Sequence, residues 1–173
     1  KEMSRVNIDG KIVPRPVEPL RQFEKSMFEA AKKIMPELKR FYYIHTQWST
    51  EVDDYKTYAD SALRTKDGKF YTGIEEPYHF FIPTLTNSFG KSMQETLDKI
   101  FQYYDPEGIY IDESTCSPLR LSYDMWDKVS VELDRNNNVK NKIGYVTLLK
   151  MPFMMKLYDT IIREHHKFII GNF

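Results

Sequence analysis

The stretch Gly108-Ile109-Tyr110-Ile111-Asp112-Glu113 decides the fold class. It is apolar and β-branched until its last two residues, the pattern of a strand covered on both faces, as strands of parallel sheets are. Pro106-Glu107-Gly108 leads into it, and upstream Met93, Leu97, Ile100, Phe101 and Tyr104 fall on one stripe at helical spacing. A helix over 92–104 therefore feeds a buried strand. Before that helix, Tyr78-His79-Phe80-Phe81-Ile82-Pro83-Thr84 has the same buried-strand composition, closed by Thr86, Asn87 and Ser88. Strand, helix, strand is the expected order.

The same rhythm extends in both directions. Arg40-Phe41-Tyr42-Tyr43-Ile44-His45-Thr46 reads as another buried strand. It follows a helix over 19–38 whose Leu20, Phe23, Met27, Ala31 and Ile34 share one face. Glu18 near the start of that helix and Lys32 and Lys33 near its end suit the helix dipole. Residues 1–18 mix charge, proline and glycine and are expected to be irregular. The polar stretch 47–78, with a tight-turn composition at Lys66-Asp67-Gly68-Lys69, is long enough for a functional loop. A helix over 145–165, despite Pro152, precedes a last strand at Lys167-Phe168-Ile169-Ile170-Gly171-Asn172.

Four such strands, with helices before the first, third and fourth, predict an α/β fold of parallel β/α units in one domain over 1–173. Barrels and open doubly wound sheets share this signature. No Gly-rich phosphate loop follows any of the strands, which favours the barrel. A TIM-type (β/α)8 barrel takes about 250 residues, so these units amount to about half of one. Open apolar strand edges call for completion by the remaining barrel polypeptide, from the same precursor or from a second chain.

Composition narrows the partners. The 25 basic and 25 acidic residues balance, which gives no uniform field for nucleic acid or an anionic membrane. No apolar run approaches the length of a membrane span, and Lys1 to Pro19 lacks a signal-peptide pattern. The single cysteine, Cys116, excludes an intrachain disulfide and a multi-cysteine metal site, and no base adjoins it to activate the thiol. His-x-His and His-Glu-x-x-His patterns are absent, so no metal is expected, and no cofactor.

In barrel enzymes the reacting groups sit at the carboxyl ends of the strands. The first strand offers His45, Gln47 and Trp48 there, the second Thr84, Thr86 and Asn87, the third Asp112 and Glu113, and the fourth Asn172. Amides, carboxylates and imidazole suit a polyhydroxylated ligand, and Trp48 or Trp126 offers an apolar face for a sugar ring. Glycoside cleavage uses two carboxyl groups as acid and as base or nucleophile. Consecutive strand side chains point to opposite faces, so one of Asp112 and Glu113 enters the mouth, and Asp112 is the choice. The second carboxyl group is Asp124, Asp127 or one outside this chain, and capping a short helix is the favoured role for each aspartate taken alone. Arg120 suits a bidentate contact that steadies a carboxylate, with a surface position as the default alternative. A strand-end aspartate also caps turns, and His45 equally suits a hydrogen-bonded core position. His79 opens its strand, away from the mouth, and is expected to be structural.

The order of Gly108-Ile109-Tyr110-Ile111-Asp112-Glu113, Tyr123-Asp124-Met125-Trp126-Asp127, a long helix and Gly171-Asn172 resembles poorly characterised glycoside-hydrolase-like barrel proteins. The resemblance covers about residues 79 to 172. It implies hydrolysis of a glycosidic bond in a polysaccharide or glycan, with Asp112 as the strand-end carboxylate and Asp124, Trp126 and Asp127 as the rim behind it. It also favours a secreted setting. A rival class is a carbohydrate-binding or structural protein derived from such a barrel, which keeps the groove and lacks the acid/base pair. Carboxyl separations of about 5–5.5 Å for retention, or about 6.5–9.5 Å for inversion, discriminate the two. A third class, a barrel enzyme of other chemistry, would show an anion-binding helix terminus or a metal near Asp112.

Overall fold

The computed structural model describes residues 3–8, 11–49, 51, 53–71, 79–112 and 121–172, with side chains from Glu18 onward. Strands β1 (Met3–Ile8) and β2 (Lys11–Pro16) form an antiparallel hairpin, where an irregular segment was expected. The signal was Asp9-Gly10 between two alternating stretches, a dipeptide favoured by two-residue hairpin loops. Helix α1 (Val17–Ile34) follows, with Glu18 in its first turn and Lys32 and Lys33 in its last.

The centre of the fold is a parallel sheet of β3 (Phe41–His45), β6 (Gly108–Asp112) and β11 (Phe168–Gly171), with β6 in the middle. Between β3 and β6 lie β4 (Trp48–Ser49), α2 (Asp54–Thr57), β5 (His79–Phe80) and α3 (Ser88–Tyr104). Between β6 and β11 lie β7 (Leu121–Ser122), β8 (Val131–Leu133), β9 (Val139–Lys142), β10 (Gly144–Tyr145) and α4 (Val146–Asp159). A π-helical turn, Thr160–Glu164, ends α4. The chain is therefore α/β, and β3 and β6 are each followed by an excursion before the helix that returns to the next parallel strand.

The segment 78–84 does not supply a fourth parallel strand. Among its described residues, 79–84, only His79 and Phe80 form a strand, and they pair antiparallel with Ser49 and Trp48. Its alternation serves the first excursion instead: Phe80 and Ile82 enter a cluster with Leu63 and Val146, while Phe81 enters another with Ala62 and Phe89. A continuous apolar run records burial on both sides, and here the two covering layers are small local cores.

Alternation along β6 sends Ile109 and Ile111, both fully buried, into the main core with Leu97, Ile100, Phe101, Phe153 and Leu157 of α3 and α4. Tyr42, Ile44 and Ile169 join from the flanking strands, and Phe28 of α1 meets the Tyr42 and Tyr104 rings at 6.2 and 5.8 Å. The opposite face carries Tyr43, Tyr110 and Ile170 in lateral register, with Phe168 beside Gly108 nearer the amino end, and no described helix covers it. Tyr43 and Phe168 stay 55% and 58% exposed there. Phe23, Met27 and Ile34, expected on the core face of α1, are also exposed, as are Met151, Met155 and Ile162 beside the last strand.

At the amino end of the sheet, buried Arg40 donates from Nε to Glu107 Oε2 at 2.7 Å and from its backbone N–H to the same oxygen at 2.8 Å. Its other nitrogens reach Glu107 Oε1 and, at 3.0 Å, the Phe28 carbonyl. The hydrogen bonds from the guanidinium hold the Glu107 carboxyl at about 2, against the upward push of burial. Gly108 lies beside this clamp because a Cβ there would stand 2.4 Å from the Phe41 ring and 2.6 Å from the Phe168 carbonyl.

Candidate functional site

Asp112 is the last residue of the central strand, and alternation puts it on the uncovered face with Tyr110. The Tyr43 hydroxyl donates to Asp112 Oδ2. Tyr43 is held for that contact by stacking on the Tyr110 ring, centroids 5.8 Å apart and planes within 14°. His45 is the register partner of Asp112 on β3. On the other side, the Asn172 backbone N–H donates to the Ile111 carbonyl at 3.3 Å, which brings Asn172 to the same level. His45, Asp112 and Asn172 therefore share the carboxyl edge of the sheet. Thr84, expected with them, belongs instead to the loop that opens α3.

Asn87, read from sequence as a ligand contact, is used within that loop. Its Oδ1 accepts from the backbone of Gly90 and of Thr84, each at 3.0 Å, and its Nδ2 donates to the Ile82 carbonyl at 2.7 Å. This is an N-cap, and it fixes the start of α3. Gly90 belongs to the same device, because a Cβ there would stand 1.9 Å from the Thr84 carbonyl oxygen.

The remaining residues of the expected site divide. Gln47 is buried, and its carbonyl accepts the Phe81 N–H at 2.8 Å. Trp48 turns its ring towards Phe80 at 4.1 Å and meets the His45 ring edge-on at 5.1 Å, so it joins the strand end to the core of the first excursion. Asp124 pairs with Arg64 at 3.1 Å. Trp126 donates from Nε1 to the Ser130 carbonyl at 3.0 Å, and Lys142 Nζ sits 4.3 Å over its ring. Asp127 accepts from the backbone of Val129, Ser130 and Tyr145 and from the Ser130 hydroxyl, at 2.6–2.9 Å. Burial pushes its carboxyl up, and these bonds more than reverse the push and hold it low. Its oxygens thus hold a turn to β10. Glu113, Arg120 and Cys116 lie outside the described residues.

The two excursions also meet each other. Leu63, Phe80 and Ile82 of the first pack with Val146, while Met125 and Leu149 adjoin the cluster. Lys66 adds a contact to Glu132 at 2.6 Å. Within the first excursion the Ser49 hydroxyl donates directly to Asp54, and His79 is the register partner of Ser49. A serine whose proton goes straight to a carboxylate is not arranged as a histidine-activated nucleophile. Among the described residues, no group of three His, Cys, Asp or Glu side chains is placed to hold a metal ion.

Two residues of this region are not in the set read from sequence. Tyr43 lies two positions before His45 and so shares its face, which the alternation rule alone would have found. Lys150 is 1% exposed on α4, at helical spacing from buried Val146, Phe153 and Met154. Its position in an otherwise apolar stripe was the available signal. No protein-family model matches the chain, and no curated protein matches it.

Proposed function

We propose that this chain is part of a barrel-type glycoside hydrolase in which Asp112 is one of two carboxyl groups acting across a glycosidic bond. The observation that carries the reading is the setting of Asp112. It ends the central parallel strand, faces the uncovered side, accepts a hydroxyl hydrogen bond from Tyr43 and stands level with His45. Strand-end carboxylates in parallel β/α folds are where such chemistry concentrates. Hydroxyl, imidazole and amide groups around it match a sugar's donors and acceptors.

The β3, β6 and β11 units are, on this reading, consecutive members of a (β/α)8 barrel, and the face with Tyr43, Tyr110, Phe168 and Ile170 is its lumen. Parallel sheets are covered on both faces, and the apolar exposed faces of α1 and α4 sit where neighbouring helices would pack. Further polypeptide, from the same precursor or a second chain, completes the ring. The substrate is a polysaccharide or glycan.

The test is Asp112→Asn in the intact protein, assayed on a panel of aryl glycosides and polysaccharides beside a melting curve. Loss of an acid/base group lowers turnover by about a hundredfold or more, while the melting temperature is expected to hold. Activity within twofold of wild type on a verified substrate would remove Asp112 from the reaction. Hydrogen exchange on the same protein reads the barrel: amides at the outer edges of β3 and β11 should be protected when the adjoining polypeptide is present, and equal exchange without it would argue against completion.

A further inference from the structure

We infer that Tyr43 is the positioning residue that keeps Asp112 ionised, which makes Asp112 the charged member of the acid/base pair and assigns the proton for the leaving oxygen to another group. This rests on the glycosidase reading for its chemical meaning, though not for its test. The Tyr43 hydroxyl lies within hydrogen-bond reach of Asp112 Oδ2, and donation to the charged form of a carboxyl group stabilises that form. The donor is neutral, so it favours the negative charge without cancelling it.

Among the described residues, the neighbours of Asp112 on this face are polar or aromatic. From β3, Tyr43 and His45 face Asp112, and from its own strand Tyr110 does. On the β11 side the residue at this level is Asn172, which does not titrate. No acidic side chain of β3 or β11 stands on this face to oppose ionisation. Stacking on Tyr110 fixes the Tyr43 ring, so the hydroxyl reaches Asp112 from a set direction. A general acid must arrive protonated, and a carboxyl group that accepts a phenol proton is biased against that role. An ionised carboxylate instead suits the group that faces positive charge developing at the sugar's anomeric carbon.

The measurement is a carbon-13 carboxyl NMR titration of Asp112 in the intact protein, for wild type, Tyr43→Phe and Tyr110→Phe. The wild-type midpoint is expected below the ordinary aspartate value of about 3.9. In Tyr43→Phe it should rise by about one pH unit, the scale of a lost hydrogen bond to a charged group. Tyr110→Phe keeps the ring stack and should leave the midpoint in place. With aryl glycosides as probes, the acid limb of kcat/KM against pH should move with the titration while KM holds, a signature a merely structural tyrosine would not give. An unmoved midpoint in Tyr43→Phe overturns the inference. A wild-type midpoint above the ordinary value also overturns it, and that reading stands even where the variant does not fold. Wild-type protein inert on every glycoside, with a Tyr43-dependent midpoint, would defeat the hydrolase reading and support the action of Tyr43 on Asp112.

Discussion

At the amino ends of β3 and β6, Arg40 and Glu107 meet charge to charge, through two side-chain contacts and a backbone N–H, beside a glycine that lets the strands close in. At the carboxyl ends of the same strands, Asp112 meets a neutral hydroxyl, on a face that no described helix covers. The first arrangement spends its electrostatics on holding strands together. The second sets a carboxyl group beside a hydroxyl at the sheet's carboxyl edge. One pair of strands thus carries a stability device and a candidate reaction site at opposite ends, and substitutions should separate the two.

The largest effect is expected at the clamp. Arg40→Ala removes one partner of a largely buried pair and leaves the Glu107 charge behind, which should cost about 3 kcal/mol in urea unfolding. Activity per folded molecule should be unchanged. A fall in turnover matching that of Asp112→Asn would break the separation.

Acidification should act next. The Glu107 carboxyl is lowered from 4.5 to about 2 in the fold, so its contribution is fully present above pH 4.5 and is lost as pH falls from there towards 2. Partial exposure reduces the worth of this shift to about 2 kcal/mol. Arg40→Met should flatten that part of the stability curve, and an unchanged acid transition in the variant would contradict the assignment.

The smallest of the three concerns the loop that opens α3. Asn87→Ala removes an N-cap and should cost about 1–2 kcal/mol, with little change in turnover. A large loss of activity at full stability would instead return Asn87 to the ligand contacts.

The parallel strands were legible from their apolar composition, but coverage on both faces was expected and only one is covered: Ile109, Ile111, Tyr42, Ile44 and Ile169 join the core, whereas Tyr43, Phe168 and Ile170 are exposed. His45, Asp112 and Asn172 were legible as polar residues ending apolar runs. Pairing was not. Phe80, Phe81 and Ile82 are buried as expected, but by neighbours from the excursions, and nothing in a run of apolar residues names its partner. The stripe of α1 was read correctly as apolar, yet Phe23, Met27 and Ile34 have no described neighbour to cover them. In the candidate site, residue type pointed equally to ligand and to loop. For Asn87 and Asp127 only the hydrogen bonds decide, and those depend on loop geometry that spacing does not carry.

The distance along the chain between the two clamped residues has a further consequence for the protein's birth. Arg40 and Glu107 are 67 residues apart in sequence. At a synthesis rate of about 5–20 residues per second, that gap amounts to roughly 3 to 13 seconds on the ribosome, 67 divided by each rate. For that interval Tyr42 and Ile44 have emerged without the strand that pairs with them, and the non-local contact must wait for the whole first excursion. Nascent chains stalled before Gly108 should therefore engage chaperones that recognise exposed aromatic strands, and those stalled after Gly171 should engage them less.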